Sequence, residues 1–133
     1  MVDIFKMYAV DVKKESEGVE VKLGKDASMT VARLHNTNFS RCILAEYEEQ
    51  GAELETLPED KKKALDNEIM CRVLAETILV GFKGLSFKGK PLAYSKDNAI
   101  KLLQIKDFRR LVVEEASKLD NYRAAVEEAE VKN

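Results

Sequence analysis

Apolar and polar positions change their period once along this chain, near residue 35. Before that point they tend to alternate, the pattern of half-buried strands. IFKMYAVDV, from residue 4, carries aromatic and β-branched residues in rough alternation. KKESEG reads as a turn, and GVEVKLG sets Val19, Val21 and Leu23 against Glu20 and Lys22. GKDAS is a second turn and MTVARL a third alternating run. Three short strands in succession predict an antiparallel β-meander over about residues 4–34, with one wet face and one that needs cover.

Beyond residue 35 the period is helical. Asn36 or Asn38 can cap a helix starting near Phe39, where Phe39, Ile43 and Tyr47 recur four apart. Gly51 is expected to end it. Thr56-Leu57-Pro58-Glu59 has capping-box spacing, and Glu59 and Asp60 suit the positive end of the next helix. That helix is expected to reach about Val80, with Gly81 and Gly84 stopping it. Leu65, Ile69 and Val73 form one row and Met70, Leu74 and Ile78 another, the wide stripe of a central core helix. Ser95 caps a short helix from Lys96 to about Gln104, and Asp107 caps a last one carrying Phe108, Leu111, Val112, Ala116 and Leu119. AAVEEAEVKN has few large apolar residues, so 124–133 reads as a frayed or partner-dependent tail. The expectation is one α+β domain, 1–133, with the meander packed on a mainly helical C-terminal two-thirds.

Composition adds bounds. The chain has 133 residues, 45% hydrophobic and 35% charged, with a formal net charge of −2. That balance gives no global field calling for nucleic acid or an anionic membrane. No apolar run approaches the ~20 residues of a membrane span, and the N-terminus lacks the basic start and apolar core of a signal peptide. Cys42 and Cys71 are isolated and read as reduced, partly buried thiols.

One stretch invites a catalytic reading. Gly84-Leu85-Ser86-Phe87-Lys88-Gly89-Lys90-Pro91 approaches the phosphate-binding G-x-x-x-x-G-K-[ST] loop. Such a loop needs a strand before it, a helix starting at its Lys, and a hydroxyl for Mg²⁺. Here a helix is expected to precede it, and Pro91 replaces the hydroxyl residue and lacks an N–H. His35 is the sole histidine, without a G-x-S-x-G elbow. The pairs Glu48-Glu49, Glu114-Glu115 and Glu127-Glu128 are adjacent and so diverge on a helix. Metal-ligand spacing is missing. A non-enzymatic protein without catalytic, cofactor or metal residues is the expectation.

Charge is uneven, and this favours binding. Glu46 to Asp60 holds seven acids and no base, whereas Lys83 to Arg110 holds eight bases against Asp97 and Asp107. Phe82, Phe87, Tyr94 and Phe108 interleave with those bases, as in surfaces that contact phosphates and stack bases. A sequence pI near 5.6 argues instead for acidic and basic segments that face each other or a partner. Complementary patches on one small chain also suit a homo-oligomer, in rings or open arrays.

Several short segments carry a family resemblance in their order and spacing. They are Val19-Glu20-Val21-Lys22-Leu23, Val31-Ala32-Arg33-Leu34-His35-Asn36, Val80-Gly81-Phe82-Lys83-Gly84-Leu85, Pro91-Leu92-Ala93-Tyr94-Ser95-Lys96-Asp97-Asn98-Ala99 and Asp107-Phe108-Arg109. Over about residues 15–122 the chain resembles the tail assembly chaperones of long-tailed bacteriophages. The resemblance implies a non-enzymatic factor in the cytoplasm of the bacterial host, absent from the mature virion. It would bind the tape measure protein and the major tail tube protein and keep them competent for assembly. Membrane and nucleic acid are not expected partners. Phe82, Leu85, Phe87, Leu92 and Tyr94 are the candidate ridge for partner or self contact, against the alternative of plain loop packing. A minor tail or head-tail connector protein, and a nucleic-acid binder using 83–110, are the competing readings.

The resemblance also implies a short form whose longer partner arises by programmed frameshifting. Lys132-Asn133 can be encoded AAA-AAC, and a Val131 codon ending in A would complete a slippery run. Reading the gene across codons 131–133 is expected to show that run with an open −1 frame beyond; other codons there would remove the frameshift.

Overall fold

The computed structural model describes residues 1–124; the expectation of a frayed tail falls, from residue 125 on, outside the described residues. The order is α1 (Ile4–Tyr8), α2 (Val12–Glu17), β1 (Val19–Gly24), β2 (Ala27–Val31), α3 (Thr37–Thr56), α4 (Glu59–Thr77), β3 (Leu79–Lys83), β4 (Leu85–Phe87), β5 (Lys90–Leu92), α5 (Lys96–Leu103) and α6 (Lys106–Ala116), then a 3₁₀ turn at Leu119–Tyr122. The chain is α+β, with antiparallel strands near its start and helices dominating the rest.

The three-stranded sheet has the order β1-β2-β3, all antiparallel. Its first two strands are those expected. Its third is not the 4–12 segment, which is helical. Asp3 accepts a hydrogen bond from the Lys6 N–H, and Asp11 accepts from Lys13 and Lys14. These side-chain caps satisfy the amides that begin a helix, and only Val10 retains a bridge, to Arg123. KKESEG is therefore the body of α2 rather than a turn, and Gly18 ends it at φ 93°. The third strand is β3, which joins β2 through Met29↔Phe82 and Thr30↔Gly81. Gly81 thus lies within a strand, and α4 stops earlier than expected, at Thr77. The β-branched and apolar run Thr77–Val80 fits a pleated surface as well as a helix, and pairing with β2 selects the strand.

Other boundaries moved as well. Gly51 lies inside α3, which continues to Thr56. A mid-helix glycine costs about 1 kcal/mol, and burial of Leu54 in the core offsets that on the next turn. The Thr56–Glu59 box does not form, because the Thr56 hydroxyl donates back to the Glu53 carbonyl and Pro58 stands at the N-cap. Asp107 lies within the first turn of α6, with Ile105 at the N-cap. Asn36 and Ser95 do cap α3 and α5, accepting from the Phe39 and Asn98 amides.

The core is built on α4. Ile69, Val73, Leu74 and Ile78 are fully buried against Met29 and Val31 of the sheet, Leu103 of α5 and Val112 of α6. Each such side chain contributes about 1.5–3 kcal/mol. The segment after β2 ties the layers together. The Ala32 N–H bonds the Ile78 carbonyl, that of Arg33 the Glu15 carbonyl, and that of Leu34 the Ala116 carbonyl. The Val31 carbonyl accepts from the buried Tyr122 hydroxyl at 2.9 Å.

Burial, with the nearby Glu115 charge adding and Arg33 opposing, pushes the Tyr122 phenol from its ordinary 10 up to about 12. Below pH 10 the phenol is neutral in both states. Between 10 and 12 the unfolded chain ionises first, so stability falls through that window. Tyr122→Phe is expected to cost about 1–2 kcal/mol at neutral pH and to abolish this alkaline loss, both read by urea unfolding.

Candidate functional site

The P-loop-like stretch folds as a hairpin. Strand β3 comes before it, so the expectation of a preceding helix fails on the same boundary that shortened α4. The residues beyond β3 still depart from a phosphate cradle. Leu85 pairs with Leu92, Ser86 with Pro91 and Phe87 with Lys90, around a two-residue turn in which Lys88 and Gly89 have positive φ. Lys90 thus begins a strand rather than a helix. The asparagine-glycine class of turn conformation is reached here by Lys88 at φ 52° and Gly89 at φ 84°.

The five ridge candidates do not share one environment. Phe82 is buried on β3, 8% exposed, while Tyr94 is 40% exposed, and their rings meet edge to face at 5.3 Å. Leu85, Phe87 and Leu92 lie on one face of the hairpin by pairing and alternation, half-buried against the core. The Phe87 ring receives the ammonium groups of Lys88 and Lys101 at 5.5 and 5.7 Å. Both are favourable cation–π placements, and they make the hairpin tip basic.

Three other bases of the 83–110 stretch, Lys83, Lys96 and Arg109, have individual partners. Lys83 pairs with Glu20 at 3.4 Å, and Lys96 with Glu76 at 2.6 Å. Hydrogen bonds from Lys22 and then Lys83 hold the Glu20 carboxyl below its usual range, and Glu76 raises the Lys96 ammonium. Arg109 donates to the Leu103 carbonyl at 3.0 Å and to the Cys71 sulfur at 3.4 Å, closing the end of α5. Of the acidic run, Glu46 is held by Arg72 through two hydrogen bonds at 3.0 and 3.2 Å. Cys42 lies nearby as a free thiol; burial first, then the charges of Glu76 and Glu46, push its pKa up.

Two surfaces escaped the sequence reading. The first is α1 with its flanks, where Ile4, Phe5, Tyr8 and Val12 are exposed, Phe5 by 70% and Val12 by 75%. The caps Asp3 and Asp11 were the available signal that these residues sit on helices. The second is a groove of about 430 Å³. Leu34, Phe39, Met70, Leu74 and Val113 supply its apolar lining, His35 is at its edge, and Lys106, Arg109, Arg110 and Glu114 bring charge. His35 holds a left-handed φ of 65° and meets Phe39 edge to face at 5.1 Å. The spacing of Lys106, Arg109, Arg110 and Val113 is i, i+3, i+4, i+7, one helix face, and was legible; the lining from distant segments was not.

Among the described residues, no group of three His, Cys, Asp or Glu side chains could hold a metal ion. No helix among them is long and apolar enough to cross a membrane.

Gly84 fixes the hairpin to the sheet. It holds φ 73°, and a β-carbon there would collide with the Asp26 carbonyl at the β1–β2 turn. Gly84→Ala is expected to destabilise the fold by at least about 2 kcal/mol, whereas Gly89→Ala, with open space around it, loses about 1 kcal/mol from its conformation alone. Thermal unfolding of both variants measures the difference.

No curated protein and no solved structure matches the chain. The sequence model of the family described as YdaY prophage protein matches residues 37–133. The match begins at the first residue of α3, so it takes in α3 to α6 and the β4–β5 hairpin and omits β1 and β2. With well over half of its residues matched, the chain belongs to the YdaY prophage protein family.

Proposed function

We propose that this prophage protein is a non-enzymatic tail assembly chaperone. It binds the tape measure protein and tail tube subunits in the host cytoplasm, keeps them competent for assembly, and leaves before the virion is complete. The prophage family supplies the phage setting, and the segment from Gly81 to Ala99 supplies the resemblance to tail chaperones.

The observation that carries the reading is the row of exposed apolar side chains on α1, Ile4, Phe5 and Tyr8, with Val12 also exposed at the start of α2. A small domain gains no stability by displaying such a row, and contiguous exposed apolar surface marks a contact site. A tape measure protein is a long, largely helical, apolar-rich chain. Covering its surface with apolar side chains held on a charge-rich domain would keep it in solution. The hairpin side, with Tyr94 exposed and Leu85, Phe87 and Leu92 half-buried, is a second contact candidate.

Co-expression with the tape measure and tail tube proteins of the same prophage tests this. The wild-type chain is expected to hold the tape measure protein in the soluble fraction and to co-purify with it. Ile4→Ser/Phe5→Ser/Tyr8→Ser, altering exposed positions only, is expected to keep its circular dichroism and lose capture at least about tenfold. Tyr94→Ser reports on the hairpin side. Unchanged capture by the triple variant removes α1 from the interface, and no capture by wild type removes the chaperone reading. Persistence of the protein in purified virions would favour a structural tail or connector protein instead.

A further inference from the structure

The groove beside α6 has an apolar floor and one charged bank. Phe39 from α3, Met70 and Leu74 from α4 and Val113 from α6 make the floor. Lys106, Arg110 and Glu114 line the groove from α6 at i, i+4 and i+8, so they form one row along that helix. The row is about 12 Å long at 1.5 Å per residue and reads plus, plus, minus. All three residues are exposed. Lys106 and Glu114 make no salt bridge among the described residues. Arg110 reaches only Asp107, at 3.6 Å, with both side chains largely in solvent, a contact worth little. Arg109, the other cation of the lining, is already committed to the Leu103 carbonyl and the Cys71 sulfur.

We propose that this groove docks an amphipathic helix of a partner protein that carries the opposite row. That helix has acid, acid and base at four-residue intervals beside an apolar stripe. Two helices lying side by side share the same rise per turn, so each charge of α6 meets its opposite in register. A parallel helix presents the order acid, acid, base, and an antiparallel one the order base, acid, acid. The apolar stripe enters the floor, as in other helix-in-groove contacts. A groove of about 430 Å³ has room for the few apolar side chains that a helix turns to one face over two turns. A single-headed anion such as a fatty acid fits less well. It would meet one cation and leave the other, and Glu114, unanswered. The inference does not rest on the chaperone reading, and no phage tail protein enters its test.

Fluorescence anisotropy with labelled peptides of about 20 residues, long enough for measurable helicity, decides it. Each peptide carries leucines at i, i+3, i+4 and i+7 and one charge row, Glu-Glu-Lys or Lys-Glu-Glu at four-residue spacing. Its twin carries the same row with charges reversed. The wild type is expected to bind one order at least about tenfold more tightly than its twin, with a gain of helical ellipticity in the peptide. The preference should shrink at 1 M salt, where the screening length is about 3 Å. Lys106→Glu/Arg110→Glu/Glu114→Lys, altering exposed positions only, is expected to prefer the twin instead. If that variant fails to fold, Lys106→Ala/Arg110→Ala/Glu114→Ala should bind both peptides equally. Ile4→Ser/Phe5→Ser/Tyr8→Ser should bind as the wild type does, and a loss there would place the peptide at α1 and overturn the proposal. No binding at about 1 mM peptide, equal binding of twins by the wild type, a preference that survives the reversal, or binding without helix formation would each overturn it too. Laurate displacing the labelled peptide at a lower concentration than unlabelled peptide does would assign the groove to a single-headed amphiphile, with the same result.

Discussion

Four consecutive residues, from the last of β2 onward, hold this molecule together. Val31, Ala32, Arg33 and Leu34 leave the sheet, and each gives a backbone group to a different neighbour: Tyr122, Ile78, Glu15 and Ala116. Their polar groups lie where water is largely excluded, with Val31 and Ala32 fully buried. Backbone groups in such a place must find partners, and an unmatched one costs about 1–3 kcal/mol. The crossing therefore fixes the end of α4, the carbonyl of α2, the end of α6 and the 3₁₀ turn relative to one another. A part-buried Arg33–Glu15 pair at 2.8 Å reinforces it.

The placement of the surfaces depends on this crossing. With Leu34 bonded to the end of α6, Leu34 and His35 line the groove alongside residues of α4 and α6, and Phe39 enters the core from the start of α3. The space left between Phe39, Met70, Leu74 and Val113 is the groove. On the far side, the Asp11 amide bonds the Tyr122 carbonyl and the Ala124 amide bonds the Ala9 carbonyl. These contacts anchor the segment joining α1 and α2 by its backbone and leave the α1 side chains outside. Apolar exposure at α1 is thus compatible with a well-fixed fold.

Chemistry is concentrated at surfaces rather than in an enclosed site. Local pairings account for most of the basic stretch, and the two free thiols are helical residues, Cys71 against the Leu103 carbonyl. The hairpin from Leu85 to Leu92 shows how a string of familiar letters loses its meaning once backbone direction is known. Pro91 and Ser86 face each other across a ladder, and Gly84 serves a close approach to Asp26.

Features that depend on neighbours a few positions away could be read from the chain alone. The stripe of α4, the alternation of β1 and β2, and the Asn36 and Ser95 caps were all legible, because cap bonds and helical faces span three or four residues. Features that depend on distant partners became visible only in the folded molecule. Leu79 to Lys83 is a strand only because β2 offers it an edge, and a short apolar run carries no period of its own. Gly51 stays helical because Leu54 is buried beyond it. Ile4–Tyr8 and Val12–Glu17 are helices because Asp3 and Asp11 satisfy their first amides, and the third place in the sheet is taken by β3 on the far edge of β2. The groove, gathered from residues 34–39, 70–74 and 106–114, exists only after the crossing at 31–34 has set its walls.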